Sequence, residues 1–518
     1  MTALRHEVHY GNRVVRCFAE RPCHVDAMFR DAVSRNPERY ALVLGDERIS
    51  YRALDATVEA IAGNLAQRGF RQGDRIALLL GNCLEFVYAV LAAARSGIIV
   101  VPMNIRQRKP ETEFILAQCE ASGLIYQGDL AEHLPDRGAL PHLRERFVVG
   151  DGPGTPFTQL MAAAVAPTIS IGEEDVFSLL YTSGTTGRPK GAMLTHLGTV
   201  HSLLHYEQGM VLRDGEVSVL AVPASHVTGL VAIVLTMIRV SGCTVLLPTF
   251  KARAFLDIAA RERMTHALLV PAMYNLCLLD PDFGRVDLSA WRTGGFGGAP
   301  MPQATIERIA AVLPDLALVN VYGSTETTSP ATMLPLGEAA TRADTVGKPL
   351  ACADIVVMDD NGREVAPGVS GELWVGGPMV VPGYWRNEEA DRGAFCGAYW
   401  KSGDVGAVDA EGYVRVLDRK KDLINRGGYK VYCIEVESVL SRHPDVIECA
   451  VIGRPDAVLG ERVHAVVVPR GPDVGEAELK RFCAGQLSDY KVPDSIAFLR
   501  DALPRNANGK VLKTALRT

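Results

Sequence analysis

A short segment of the chain carries the residue types that could hold a phosphate group. Residues 181–191 read YTSGTTGRPKG and follow an apolar run, 176–180, that predicts a strand. Glycines let a backbone wrap closely around an anion with its N–H groups pointing inward, and hydroxyl and ammonium groups add further donors. The candidate phosphate ligands are Thr182, Ser183, Gly184, Thr185, Thr186, Gly187 and Lys190. By composition alone, a flexible surface loop is an equally good interpretation.

This loop is not a Walker A loop, which places GxxxxGK[ST] at the start of a helix, and Pro189 argues against a helix starting that way. In full, the string resembles the YTSGTTGxPKG signature of the adenylate-forming superfamily, which includes acyl-CoA synthetases, luciferases and the adenylation domains of peptide synthetases. Further motifs follow in the order of that family, and the resemblance extends from about residue 25 to the C-terminus. It implies an enzyme that uses ATP and Mg²⁺ to activate a carboxylic acid and transfers the acyl group to coenzyme A.

The resemblance also predicts where the nucleotide binds. Gly298, Ala299 and Pro300, in a predicted glycine-rich turn that begins at Gly294, would lie against the adenine ring. The motif NVYGSTET at 320–327 would provide the remaining contacts. Within this motif the predicted binding residues are Asn320, Tyr322, Gly323, Thr325 and Glu326. Tyr322 would stack on adenine, Thr325 would reach the α-phosphate, and Glu326 would bind Mg²⁺, since a hard cation prefers oxygen ligands.

Motifs nearer the C-terminus resemble the ribose site, the hinge and the thiol passage of the family. Asp404 would accept hydrogen bonds from both ribose hydroxyls, and Arg419 would contact ribose or phosphate. Lys421 would be the hinge residue, while Gly428 and Lys430 belong to the loop that lines the pantetheine passage. The resemblance predicts catalytic roles for Lys510, Glu326, Thr185 and His226. Taken alone, a lysine so near a C-terminus is usually a surface charge.

The acid substrate is the least determined feature. By resemblance, the pocket would be lined by His226, Thr228, Val321 and Gly323. Acetate-specific relatives carry tryptophan at the position of Gly323 and malonate-specific relatives arginine at that of Val321, while Ser225 gives no counter-ion for an amino acid. A medium- or long-chain fatty acid is favoured, with an aryl acid of the benzoate or cinnamate type as the alternative.

The surrounding pattern predicts an α/β fold. Helical stretches alternate with buried-strand runs such as 76–80 and 98–101, which indicates parallel or mixed sheets flanked by helices. One helix is predicted to begin after Ser50 as its N-cap. After about residue 410 the pattern changes to a small α+β unit, with strands predicted at 414–417, 431–434, 446–452 and 463–468. We therefore expect an N-terminal adenylate-forming domain, 1–418, and a mobile C-terminal domain, 419–518, joined by a charged and solvated hinge at 418–422.

Composition limits the function classes. The 518 residues carry a net charge of −6, which argues against nucleic acid as the main partner. The 11 cysteines are scattered singly, as in a reduced cytoplasmic protein, and no apolar run approaches the roughly 20 residues that span a bilayer. The oligomeric state stays open, with a homodimer among the candidates.

Three rival functions remain at this point. The enzyme could load a carrier protein or stop at the adenylate, it could use the adenylate for luciferase-like oxidation, or the chain could be a catalytically silent binding protein. Together, Lys510, Glu326 and Asp404 argue against the silent protein, and the loop at Gly428 favours coenzyme A as the acceptor.

Overall fold

The computed structural model of the chain describes residues 3–182, 188–471, 474–505 and 511–517. Within them, four sheets of five or more strands are flanked by helices, and an N-terminal hairpin pairs Leu4–His9 with Arg13–Phe18. Three of the sheets form the large N-terminal part and the fourth forms a smaller C-terminal part. The predicted α/β fold with a second, smaller α+β unit is confirmed.

The first sheet provides the strand that leads into the phosphate loop. Its seven strands, in spatial order, are Lys190–Thr195, Val176–Thr182, Ile99–Pro102, Arg75–Leu79, Gly123–Gln127, Glu145–Val149 and Thr155–Pro156. The apolar runs predicted as strands at 76–80 and 98–101 are parallel neighbours in its buried centre. Val176–Thr182 and Lys190–Thr195 form an antiparallel hairpin at one edge.

The second sheet brings the other motifs together. Its nine strands, in spatial order, are Lys348–Pro349, Thr332–Met333, Ala317–Tyr322, Thr293–Gly297, His266–Leu269, Val217–Leu220, Cys243–Leu246, Tyr40–Leu44 and Glu47–Ser50. The strands from Ala317–Tyr322 to Val217–Leu220 are parallel. Since the carboxyl ends of parallel strands share one edge, the loops that follow them lie together there.

The third and fourth sheets follow each other in the chain on either side of the predicted hinge. The third contains Asp354–Met358, Gly371–Gly376, Tyr399–Val408, Phe395–Cys396 and Val414–Arg419. The fourth contains Tyr429–Val431, Ile424–Arg426, Gly460–Pro469, Val446–Asp456 and Ser495–Phe498. The chain therefore passes from one to the other between residues 419 and 424, and the domain boundary at 418 stays a prediction.

Helices cover the sheets. The α-helices are Val25–Arg35, Tyr51–Gln67, Leu84–Ser96, Lys109–Gln118, His196–Gly209, Thr236–Arg239, Ala252–Arg261, Pro271–Leu279, Gln303–Val312, Glu388–Ala394, Cys433–Leu440 and Glu476–Ala484. Ser50 is the predicted N-cap of the second of these helices, and its hydroxyl accepts a hydrogen bond from the Ala53 N–H at 3.2 Å. Among the helices in the described ranges, none combines the length and apolarity needed to cross a membrane.

Two local predictions were wrong. The run 431–434 is not a strand, because pairing ends at Val431 and a helix begins at Cys433. The glycine-rich stretch from Gly294 is not a turn but the strand Thr293–Gly297. Its glycines reflect close packing, since a Cβ on Gly297 would lie 2.4 Å from the carbonyl oxygen of Val321.

Candidate active site

Three predicted nucleotide-binding side chains meet where the second and third sheets adjoin. Asp404 pairs in register with Arg419 on the neighbouring strand, and the Arg419 Nε lies 2.7 Å from its Oδ1. The Tyr322 hydroxyl, at the carboxyl end of its strand, donates to Asp404 Oδ2 at 2.6 Å. Burial, and secondly the Asp404 carboxylate, raise the pKa of Tyr322 well above its ordinary value. The phenol therefore stays neutral and remains a donor to the buried Asp404.

Glu326 forms a second cluster at the base of the phosphate loop. Its side chain is buried, and the hydroxyls of Ser324, Tyr384 and Thr182 donate to its carboxylate at 2.6, 2.9 and 3.4 Å. Burial and the Glu326 carboxylate raise the pKa of Tyr384, so this phenol also stays protonated. The Lys190 ammonium group lies 5.3 Å from the centre of the Tyr384 ring. A carboxylate, hydroxyls and an ammonium group thus converge here.

The donor set at Glu326 fits a magnesium ion. Magnesium in phosphoryl-transfer sites is typically held by one or two carboxylates together with substrate phosphates and water. Glu326 supplies the carboxylate, and its protein partners are hydroxyl groups, which can also face a hydrated cation. Both edges of the carboxylate are oriented by these partners before any ion binds.

The phosphate loop itself is only partly described. Thr182 ends the first strand of the antiparallel hairpin and Lys190 begins the second, and the two residues pair directly with each other. The loop between them is therefore held at both ends. The predicted ligands Ser183, Gly184, Thr185, Thr186 and Gly187 lie outside the described residues, as does the predicted catalytic Lys510, and their roles stay predictions.

The predicted adenine platform lies at the surface beside Tyr322. Residues Gly298, Ala299 and Pro300 are exposed, and Gly298 has a φ of +77°, a conformation that favours glycine. The buried Asn320 donates from Nδ2 to the Thr345 carbonyl at 3.1 Å. Its side chain thus ties the strand to the loop before the third sheet.

A neighbouring loop carries Thr325. This residue opens a short 3₁₀ turn, Thr325–Thr327, in which the Ser324 N–H donates to the Thr327 hydroxyl at 2.9 Å. The turn presents Glu326 inward while Thr325 stays partly exposed.

The predicted acyl side is built on an unusual helix. His226 precedes the π-helix Thr228–Leu235, whose residues from Gly229 onward are all buried. Such helices are rare and frequently occur at functional sites. The His226 Nε2 lies 3.2 Å from Nδ2 of Asn104, which follows a strand of the first sheet.

The two other predicted pocket residues differ in their surroundings. Val321 is buried within its strand. A Cβ on Gly323 would lie 3.1–3.2 Å from the backbone of residues 329–331. A side chain at this position would therefore press on that backbone.

The hinge stretch is not fully solvated, contrary to the prediction. Asp418 is 2% exposed and accepts hydrogen bonds from the N–H groups of Arg419, at 2.8 Å, and Cys433. Burial raises the pKa of Asp418 to about 6. Lys421 is exposed, as expected of a hinge residue.

The loop predicted to line the pantetheine passage faces outward. Gly428 and Lys430 are both exposed, and Gly428 has a φ of +88°. A Cβ on Gly428 would meet nothing within 4 Å. The predicted role of this loop in the pantetheine passage stays a prediction.

Three side chains of the candidate site escaped the sequence reasoning. Tyr384 and Ser324 orient Glu326, and Asn104 contacts His226. Ser324 lies inside a recognised motif, whereas Tyr384 is 58 residues from Glu326 and Asn104 is 122 residues from His226. No spacing argument could have linked these distant pairs.

Comparisons with protein families identify both parts of the chain. Residues 29–385 match the family model of the AMP-binding enzyme, and residues 435–510 match that of the AMP-binding enzyme C-terminal domain. The first match alone covers more than half of the chain.

Individual proteins with similar sequences are CoA ligases. The chain is 36% identical to a feruloyl-CoA synthase of Amycolatopsis sp, over 93% of this chain and 96% of that protein. It is 33% identical to the long-chain-fatty-acid–CoA ligase FadD13 of Mycobacterium tuberculosis, over 94% and 96% of the two chains.

A similar solved structure is the o-succinylbenzoate coenzyme A synthetase of Bacillus subtilis in complex with ATP and magnesium ion. It has a TM-score of 0.84 and 30% sequence identity, and the alignment covers 95% of this chain and 99% of that one.

Proposed function

This chain belongs to the AMP-binding enzyme family as an AMP-forming acyl-CoA synthetase, and we propose that its acid substrate is a medium- or long-chain fatty acid. The observation that supports the nucleotide part of the proposal is the gathering of Thr182, Glu326, Tyr322, Asp404 and Arg419. These residues come from three sheets and the turn Thr325–Thr327, and they form two clusters. Each cluster offers groups suited to one part of ATP.

The proposed division of roles follows the chemistry of each group. Asp404 would bind the ribose diol, since a carboxylate accepts two hydrogen bonds, with Arg419 beside it. Tyr322 would stack on the adenine against Gly298–Pro300. Thr182, Lys190 and the loop between them would contact the phosphates. A magnesium ion held by Glu326 would supply neutralisation of phosphate charge.

In the first step the substrate carboxylate oxygen attacks the α-phosphorus of ATP, the bond to pyrophosphate breaks, and an acyl adenylate forms. In the second step the thiolate sulfur of coenzyme A attacks the acyl carbon, and AMP leaves. Splitting the reaction in this way replaces an oxide, which is a poor leaving group, with AMP, which leaves readily. Lys510 would stabilise the charge of the first transition state, and the loop at Gly428 would serve the second step.

The fatty-acid proposal is supported by the acyl side of the site. The π-helix Thr228–Leu235 presents a sequence, TGLVAIVL, without a charged residue, so it offers no counter-ion for a second carboxylate or an ammonium group. A relative 33% identical to the chain is a long-chain-fatty-acid–CoA ligase. An aryl acid is the second candidate, because the relative at 36% identity is a feruloyl-CoA synthase.

The decisive assay measures AMP formation with ATP, Mg²⁺ and coenzyme A for a panel of acids: straight chains from butyrate to palmitate, benzoate, cinnamate and ferulate. We expect kcat/KM to rise with chain length into the medium or long range. Highest kcat/KM for cinnamate or ferulate would establish the aryl alternative instead. Absence of acid-dependent pyrophosphate release with every acid would support the silent binding protein.

Two substitutions separate the half-reactions. Lys510→Ala should abolish acyl-adenylate formation yet still convert supplied acyl adenylate to thioester, and Gly428→Leu should do the reverse. Pyrophosphate exchange and thioester formation measure the two steps independently. Equal loss of both activities in both variants would contradict a two-conformation mechanism.

A further inference from the structure

The His226 ring is held by a buried amide from the other sheet. Asn104 is 8% exposed and follows the strand Ile99–Pro102 of the first sheet, whereas His226 follows the strand Val217–Leu220 of the second. The Asn104 Nδ2 lies 3.2 Å from His226 Nε2. On its other side, Asn104 Oδ1 accepts a hydrogen bond from the Arg106 N–H at 2.9 Å.

These two contacts fix the orientation of the amide. A backbone N–H can only donate, so the Asn104 atom that faces Arg106 must be the carbonyl oxygen. The atom that faces His226 is therefore the NH₂ group, which can only donate. His226 Nε2 must then be an unprotonated acceptor. A neutral imidazole carries one proton, which leaves it on Nδ1.

We propose that Asn104 is a positioning residue that keeps His226 neutral with its proton on Nδ1. Protonation of Nε2 would set two donors against each other at 3.2 Å, so the amide disfavours both the other tautomer and the imidazolium form. The neutral ring then carries its proton on Nδ1 and donates from that atom. The functional part of this inference depends on the proposed position of His226 beside the acyl group.

The backbone of the same loop is held separately, by Asn82. This buried residue follows Arg75–Leu79, the strand next to Ile99–Pro102, and its Oδ1 accepts from the Ala224 N–H at 2.8 Å. Its Nδ2 contacts the carbonyls of Leu220, Val222 and Leu247 at 3.0–3.1 Å. Asn82 thus fixes the backbone of the loop, whereas Asn104 contacts the ring itself.

The test exchanges the donor for an acceptor by Asn104→Asp. One carboxylate oxygen can still accept from Arg106, while the other now faces Nε2 and favours a proton there. We expect the acid limb of the kcat/KM profile for acid-dependent pyrophosphate exchange to move up by about 1 pH unit or more, since a nearby opposite charge favours the charged ring.

Asn387→Asp is the matched control. Asn387 caps the helix Glu388–Ala394 by accepting from the Ala390 N–H at 3.1 Å, and aspartate caps equally well. The pH profile of the Asn387→Asp variant should superimpose on that of the unsubstituted enzyme. An unshifted acid limb in the Asn104→Asp variant would overturn the proposal.

A spectroscopic measurement reads the tautomer without any substrate. In protein with ¹⁵N-labelled histidine rings, the signals missing from a His226→Gln variant belong to His226. We expect the Nε2 signal at neutral pH to be that of an unprotonated nitrogen, and a protonated Nε2 would overturn the proposal even if Asn104→Asp fails to fold. If no acid supports exchange but the tautomer is as expected, the proposed function fails and this inference stands.

Discussion

Acidification from pH 7 to pH 5 should destabilise the N-terminal part of the protein through one histidine-rich helix. The helix His196–Gly209 directly follows the hairpin that carries the phosphate loop. Its residues His196, His201 and His205 are at most 1% exposed. Each accepts a hydrogen bond from a backbone N–H at 3.1–3.2 Å, donated respectively by Val25, Phe18 and Cys352. An imidazolium ring has no acceptor, so the folded protein requires these rings neutral.

The magnitude follows from the pKa values. Burial lowers the pKa of His196 to about 3, of His201 to about 4 and of His205 to about 3, from an ordinary 6.5. Below pH 6.5 the unfolded chain therefore binds protons that the folded chain does not. The stabilisation that comes from keeping these three rings neutral is fully present above pH 6.5 and is lost as the pH falls. At pH 5 the loss is about 2 kcal/mol per histidine, since each pH unit corresponds to about 1.4 kcal/mol.

The assay compares the unsubstituted protein with His205→Gln. Glutamine keeps an oxygen acceptor for the Cys352 N–H but does not titrate. The free energy of unfolding is measured in urea by tryptophan fluorescence at pH 7 and at pH 5. We expect its decrease between these pH values to be about 2 kcal/mol smaller in the variant than in the unsubstituted protein. His6→Gln removes an exposed histidine and should follow the unsubstituted protein. An identical pH dependence for His205→Gln and the unsubstituted protein would refute the argument.

Three further substitutions test the site. Asp404→Asn should raise the KM for ATP roughly 30- to 700-fold, or about 2–4 kcal/mol, because an amide accepts only weaker bonds from the ribose diol; an unchanged KM in initial-rate measurements would remove Asp404 from the ribose site. Glu326→Gln should lower acid-dependent pyrophosphate exchange roughly 10²–10³-fold and raise the Mg²⁺ concentration needed for half-maximal rate; magnesium titration showing no change would exclude Glu326 as the ligand. Gly229→Ala should destabilise the protein by about 1–3 kcal/mol, since its Cβ would lie 2.2 Å from the Pro223 carbonyl oxygen; an unaltered thermal midpoint would contradict this packing.

The elements that the sequence predicts well are those whose pattern has one physical cause. The runs at 76–80 and 98–101 are apolar because they form buried parallel strands, and Ser50 caps its helix through a local hydrogen bond. Parallel strands also explain why motifs far apart in sequence meet, since their following loops share one edge. The motif residues of the two carboxylate clusters could therefore be predicted from the sequence. Tyr384 could not, because its contact with Glu326 depends on the path of the chain through the intervening strands.

The π-helix Thr228–Leu235 shows where such reasoning ends. Its sequence is almost entirely apolar, so hydrophobic periodicity cannot distinguish one helical pitch from another. At its start Gly229 lies so close to the Pro223 backbone that a Cβ there would be 2.2 Å from the carbonyl oxygen. The apolar pattern of the sequence does not signal this close approach within the segment that carries His226.

The predicted hinge was wrongly expected to be solvated, because the contact that buries Asp418 comes from a residue distant in sequence. The contacts on either side of Lys421 explain how a hinge at this residue could work. Asp418 belongs to the last strand of the third sheet, yet it accepts from the N–H of Cys433, at the start of a helix in the C-terminal part. On the other side of Lys421, Asp422 is bound to the C-terminal part by Arg517, whose guanidinium lies 2.9 Å from its carboxylate. Rotation at Lys421 would carry Asp422 along with its partners but would break the contact of Asp418 with Cys433. The charges at 418 and 422 are therefore not equivalent parts of a solvated run: Asp418 holds the observed arrangement of the two parts, and Asp422 would move with the smaller part.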